Sequence, residues 1–189
     1  MKLGFMFHGG IMQVSGNAFK TLVEFAEKKY GSERTKNFYI DNSHFCRIKD
    51  FLDLDWYELD YYLEYSETVD KYFGFGDASI LLEAGEYAAK KAFESSHSLF
   101  RDLSMQCALS NAEAVFLSFF SAAVAEIKYI KNNKAELYIK NLPLSPHLSN
   151  IICGWLKYSS RAIRTKEGSI VEKNHKKNCL CFTLEWINC

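Results

Sequence analysis

Two prolines and ten glycines in 189 residues leave little room for a long linker or a low-complexity tract, and no internal repeat is visible. An excess of one charge is also missing, because 23 basic and 23 acidic side chains cancel. Nucleic-acid binders carry a basic surplus that displaces counterions from phosphates, so that class is disfavoured. The short basic clusters Lys128–Lys131 and Lys173–Lys177 read as solvated hairpin tips. No window approaches the roughly 18 uncharged apolar residues of a membrane span. The stretch Met1–Gly10 is apolar only briefly, and His8 and two glycines break the core that a signal peptide needs.

Recognisable catalytic motifs are absent as well. There is no Gly-x-Ser-x-Gly elbow and no phosphate-gripping Gly-x-x-x-x-Gly-Lys. Phe73-Gly-Phe-Gly-Asp77 has two glycines, but it follows a helical pattern rather than a strand and so reads as a tight turn. Asp50, Asp53, Asp55, Glu58 and Asp60 cluster in sequence without a partner across a cleft, and they read as a solvated helix start. The chain is therefore expected to bind rather than to catalyse.

What is present is apolar mass: 48% of residues are hydrophobic and 15% aromatic. A chain of this length buries roughly 70% of its unfolded surface as one domain. Six cysteines are then not needed as staples, and reduced thiols in a cytoplasmic setting are expected. One domain is expected over 1–189, with a helical half at about 15–121 and a hairpin–helix–hairpin half at about 122–187.

The helical half carries clear punctuation. Phe19, Leu22, Val23, Ala26 and Tyr30 share a face of a helix over about Ser15–Tyr30, and Gly31 ends it. Asn37–Asp53 reads as a loop. Asp55 then predicts a cap, with Glu58 reaching back, for a helix that runs to Phe73 and stops at Gly74. After Asp77 a further helix shows Ile80, Leu81, Ala84 and Ala88 as its buried stripe, and two more follow at about Ser96–Cys107 and Asn111–Ser121.

Beyond residue 121 the period becomes two. Val124–Ile130 and Ala135–Lys140 predict a hairpin, and Ser145-Pro146 opens a long helix with Leu148, Ile151, Ile152, Trp155 and Leu156 on one face. Ser169–Asn174 and Cys179–Ile187 predict a second hairpin. The expected fold is α+β: N-terminal helices packed on a four-stranded antiparallel sheet, made of two hairpins separated by that helix.

Four features then carry a resemblance over about residues 15–187. They are Ser15–Phe19 at the first helix, Trp56–Leu63 followed by Phe73–Asp77, Gly154-Trp-Leu156 in the long helix, and Cys181–Trp186 in the closing strand. Together they resemble the 4-vinyl reductase domain family, whose fold is shared with TRAPP trafficking subunits and, distantly, with heme nitric-oxide-binding domains. The resemblance implies an apolar pocket between helices and sheet, a small hydrophobic ligand, and pairing into a homodimer. Relatives often carry a further cysteine across a glycine-containing turn; here that turn is Lys173–Asn178, with neither.

The pocket candidates are Trp56, Tyr61, Phe116, Phe120 and Trp155, taken from an aromatic surplus beyond what a minimal core uses. The same surplus could instead face a partner, which leaves a dimeric interaction module as the alternative. No cofactor is expected. Zinc would have His175, Cys179 and Cys181, with Cys189 nearby, but one Cys-x-Cys is a weak pattern for a tetrahedral site. Heme would have His97 or His147 as an axial ligand, and Tyr158-Ser-Ser-Arg161 is one residue short of the propionate motif of the heme domains.

Overall fold

In the computed structural model, residues 11–95, 104–163, 168–176 and 179–186 are described, the backbone alone for 168–176. The chain enters on a short strand, β1 (Gln13–Ser15), and passes directly into helix α1 (Gly16–Tyr30). Phe19, Leu22, Phe25 and Ala26 are buried along one face of α1, the spacing that its sequence predicts. Gly31 ends it with a φ of 85°, a conformation open to glycine at no steric cost.

The segment expected to be a loop is largely helical. Helix α2 (Ser32–Asp41) buries Thr35, Phe38 and Tyr39, and a 3-10 segment (Ser43–Asp50) buries Phe45 and Ile48. The polar run Asp41-Asn-Ser43 interrupts the apolar residues so that no single period spans the segment, and packing on neighbouring helices fixes the local conformation. A second difference follows. Trp56–Glu58 is not the first turn of a helix but strand β2, paired antiparallel with β1 so that Ser15 faces Trp56. The helix α3 (Leu59–Phe73) starts only afterwards, and Glu58 at its cap position makes no side-chain cap. Strand pairing has overridden the local capping signal.

Helix α4 (Ser79–Glu94) is reached through a constrained turn. Ala78 sits in the left-handed region at φ 63°. The buried Asp70 carboxylate accepts its N–H at 2.8 Å, and Asn150 donates to its carbonyl at 2.7 Å. Helices α5 (Met105–Ser110) and α6 (Ala112–Leu117) follow; Ser104 caps α5 by accepting from the Cys107 N–H at 3.2 Å. Most of the helix expected over Ser96–Cys107 lies outside the described residues.

Strands β3 (Val124–Lys131) and β4 (Lys134–Lys140) form the first hairpin, and β5 (Gly168–Lys176) and β6 (Cys179–Trp186) the second. They assemble as an antiparallel sheet in the order β3-β4-β6-β5. The expectation of a single sheet is corrected, because β1 and β2 form a separate two-stranded one. Leu137 lies opposite Phe182, Ala135 opposite Leu184 and Ile139 opposite Leu180, all buried. These residues share one core with Leu148, Ile152 and Leu156 of helix α7 (Pro146–Ala162). Ser145 caps α7 by accepting from the Leu148 N–H, with Pro146 at the first helical position.

Candidate functional site

Helices α4 and α7 cross in close contact, while α1 packs on α4, joined to it by Lys91–Glu24 and the Phe25–Tyr87 ring contact, and stands off from α7. Ala84, Ala88 and Ala92 recur at every fourth position of α4, so that face carries only methyl groups. The result is a cavity of about 550 Å³ between α1, α4, α6 and α7, within the range of about 300–1,000 Å³ usual for ligand pockets. Ala18, Thr21 and Leu22 of α1 form one wall, and Ile151, Ile152 and Trp155 of α7 the opposite one. Phe116, Phe119 and Phe120 close a third side, and Tyr62 reaches in from α3.

Several polar side chains line the cavity as well, and most already have partners: Thr21 donates to the Asn17 carbonyl, Ser95 to the Lys91 carbonyl and Ser118 to the Val115 carbonyl. Lys91 lines the cavity but holds Glu24 at 2.6 Å, and Asp53 holds Lys20 at 2.7 Å. Ser15 also lines it, with a buried hydroxyl that has no hydrogen-bond partner. Burial pushes the Tyr62 phenol upward, so that it stays neutral at physiological pH. Leu54 is 90% exposed and stands at the opening.

The structure brings Phe116, Phe120 and Trp155 together on this cavity. It does not bring Trp56 or Tyr61 there. Trp56 is 40% exposed on β2, and Tyr61 packs between Phe19 and Phe45, its hydroxyl donating to the His44 carbonyl at 2.8 Å. Strand β2 and the start of α3 turn these rings away from α7. The residues that sequence reasoning passed over are the small ones. Ala88 and Ala92 are ordinary core alanines in a linear reading, yet they create the space.

The metal and heme candidates scatter. Cys179 and Cys181 are buried on β6, the His175 side chain lies outside the described residues, and so do Cys189 and His97. Among the described residues no three His, Cys, Asp or Glu side chains gather as a metal site, and no cysteine forms a disulfide. His147 Nε2 is 3.5 Å from Asp70 Oδ2, at the start of α7 and off the cavity. Arg161 pairs with Glu86 at 2.9 Å on the protein surface.

No protein-family model matches the sequence, and no curated protein matches it. The backbone is more informative. This is the H-NOX fold. An Fe(II) unliganded H-NOX protein from K. algicida superposes with a TM-score of 0.69 at 13% identity, over 93% of this chain and 97% of that one. An oxygen-binding H-NOX domain related to soluble guanylate cyclases, in its oxygen complex, gives 0.69 at 15% identity over 92% and 95%. A structure solved to examine modulation of heme redox potential by porphyrin distortion gives 0.69 at 16% identity over 92% and 95%. The relation expected to be distant is thus the one that the fold displays, and kinship with 4-vinyl reductase domains rests on sequence features alone.

These neighbours correct one expectation. A domain without a cofactor does not agree with a fold whose solved examples are studied for their heme. The physical reason for the misreading is the cavity, which no periodicity in the sequence reveals. Its volume and largely apolar walls are of the kind that hold a small hydrophobic molecule. Among the described residues, those walls hold no histidine, cysteine or methionine, and Tyr62 alone offers a phenol oxygen. No helix among the described residues is long and apolar enough to cross a membrane.

Proposed function

We propose that this chain is a small-molecule sensor domain whose cavity between α1, α4, α6 and α7 holds a flat hydrophobic cofactor of the heme class. The observation that carries the reading is the cavity of about 550 Å³, walled by Phe116, Phe120, Ile152 and Trp155, inside a fold shared with heme proteins. A heme bound there supplies an iron that takes up a diatomic ligand. The chain's own residues supply the largely apolar enclosure and the neutral Tyr62 phenol, and the domain acts by binding rather than by turnover. Among the described lining residues Tyr62 alone offers an oxygen to iron and would have to lose its proton to bind it; in the sequence, His97 is the histidine nearest along the chain to a cavity-lining residue, Ser95.

Titration of the purified protein with hemin, followed by Soret absorbance, tests this. The expected result is a sharp 1:1 end point, abolished in Ala88→Phe, where a ring fills the space. His97→Ala and Tyr62→Phe separate the two ligands, since only the true one shifts the Soret position. Unaltered hemin absorbance with the wild-type protein overturns the reading.

A second reading, a dimeric interaction module in the same compartment as its partner, is favoured by exposed Leu52, Leu54 and Trp56 near the cavity opening. Light scattering across a concentration series distinguishes it, because a dimer that weakens in Leu54→Glu without hemin uptake would support this alternative.

A further inference from the structure

Ser15 is 4% exposed, and its backbone N–H is taken by the Phe119 carbonyl at 2.9 Å. Its hydroxyl has no hydrogen-bond partner among the described residues, although Ser15 holds the cap position of α1, where a serine ordinarily accepts from the first turn. A buried hydroxyl left unpaired is costly, and this one lines the cavity. Asn17, in the first turn of the same helix, lines it too; its amide oxygen is 3.4 Å from the Thr21 hydroxyl that donates to it, which leaves Nδ2 to donate elsewhere. No acidic residue stands in that turn, so nothing within α1 counters the positive end of its dipole. Asp53 and Lys91 also line the cavity, but Lys20 and Glu24 neutralise them.

Helices α1 and α4 run antiparallel, since Glu24 meets Lys91 and Lys29 meets Glu83. The start of α1 thus lies toward the end of α4 that carries Ser95, whose hydroxyl covers the Lys91 carbonyl. From Ser95 back to Ala84, with Ala92 and Ala88 between, the cavity follows α4 for roughly 16 Å at the helical rise per residue.

We propose that this cavity takes an elongated hydrophobic carboxylic acid, its carboxylate at the start of α1 on the Ser15 hydroxyl and the Asn17 amide, its chain along the alanine face of α4. A helix start favours an anion, and donors to a charged oxygen make the stronger hydrogen bonds. The inference goes beyond the heme-class reading: it needs the cavity and no iron ligand, and the acid competes with a porphyrin for the same space.

Isothermal calorimetry of the purified protein tests it, with dodecanoic acid, whose extended chain is of about that length, and with dodecanol. One acid per chain is expected, bound at least about tenfold more tightly than the alcohol, because a hydrogen bond to a charged group contributes that factor or more. Ser15→Ala removes a hydroxyl that the fold does not use, so it should melt no lower than wild type and yet cut the preference to about threefold or less. Ser15→Thr keeps the hydroxyl and should keep the preference. Ala88→Phe and Ala92→Leu narrow the cavity, and each should weaken both ligands. No uptake of the acid, equal affinity for acid and alcohol in the wild type, an unchanged preference in Ser15→Ala, or unchanged affinities in both alanine variants overturns the inference. Hemin uptake without acid binding overturns it and leaves the heme-class reading intact, whereas acid binding beside unaltered hemin absorbance supports it and overturns that reading.

Discussion

Gly85 of α4 and Gly154 of α7 face each other's helix backbone at the tightest crossing in the fold. A Cβ on Gly85 would stand 2.0 Å from the Ile151 carbonyl oxygen, and one on Gly154 would stand 1.9 Å from the Leu82 carbonyl oxygen. The contact is reciprocal, and backbone on both sides leaves nothing flexible to yield. It draws the two helices together along one edge, while the alanine face of α4 leaves space beside them for the cavity.

Gly85→Ala and Gly154→Ala are therefore expected to push the helices apart. Overpacking of this kind costs about 1–3 kcal/mol or more. At about 2–4 °C per kcal/mol for a chain of this size, each variant should melt at least about 2 °C lower. A calorimetric scan of both proteins checks this, and unchanged melting in both would contradict the crossing geometry.

Asp70 is fully buried, and its carboxylate holds the left-handed Ala78 by the backbone N–H. Asp70→Ala leaves that N–H buried without a partner and should cost about 2 kcal/mol in urea denaturation. Asp70→Asn keeps an acceptor oxygen and should cost less. Ala78→Gly relieves a strain of roughly 1 kcal/mol and should raise the midpoint, the opposite of what glycine does in a helix interior.

Stability should fall at alkaline pH through the buried tyrosines. Burial pushes the Tyr39 phenol from 10.0 up to about 12, only partly offset by its 3.0 Å hydrogen bond with Tyr65. Burial raises Tyr62 and Tyr65 as well. The folded protein holds these protons more tightly than the unfolded chain, so stability is fully present below about pH 10 and is lost as pH rises toward 12. Tyr39 alone accounts for up to roughly 2–3 kcal/mol across that window. Urea midpoints between pH 8 and pH 12 should show the decline in the wild type and a shallower one in Tyr39→Phe.

Ser145 caps the helix that forms one cavity wall. Ser145→Ala should cost about 1 kcal/mol. Ser145→Asp should restore most of it, since Asp is an equally good cap and its charge favours the helix start. Thermal melts of the two variants side by side read the difference.

Much of the architecture was legible in the sequence because it is written in local periods. The three-four spacing of Phe19, Leu22 and Ala26, the Ser145-Pro146 start, and the alternation of Ala135, Leu137 and Ile139 each appear as buried faces. The capping signal at Asp55 misled because β1, more than 40 positions away in the chain, claims Trp56–Glu58 for a strand. The region 37–53 was misread because its apolar residues, interrupted by Asp41-Asn-Ser43, run in no single helical period and give helix only when packed against their neighbours.

The candidate site divides along the same line. Phe116, Phe120 and Trp155 stood out by type and lie on the cavity, whereas Trp56 and Tyr61 stood out equally and do not. Composition and period set the apolar mass, the absence of a dominant charge and which face of each helix turns inward. Only the tertiary structure decided that α4 and α7 close together at Gly85 and Gly154 while α1, packed on α4, stands off from α7. A period reports which side of an element is buried; a cavity depends on how far apart two buried sides stop, and that distance is fixed by side chains from different parts of the chain meeting in space.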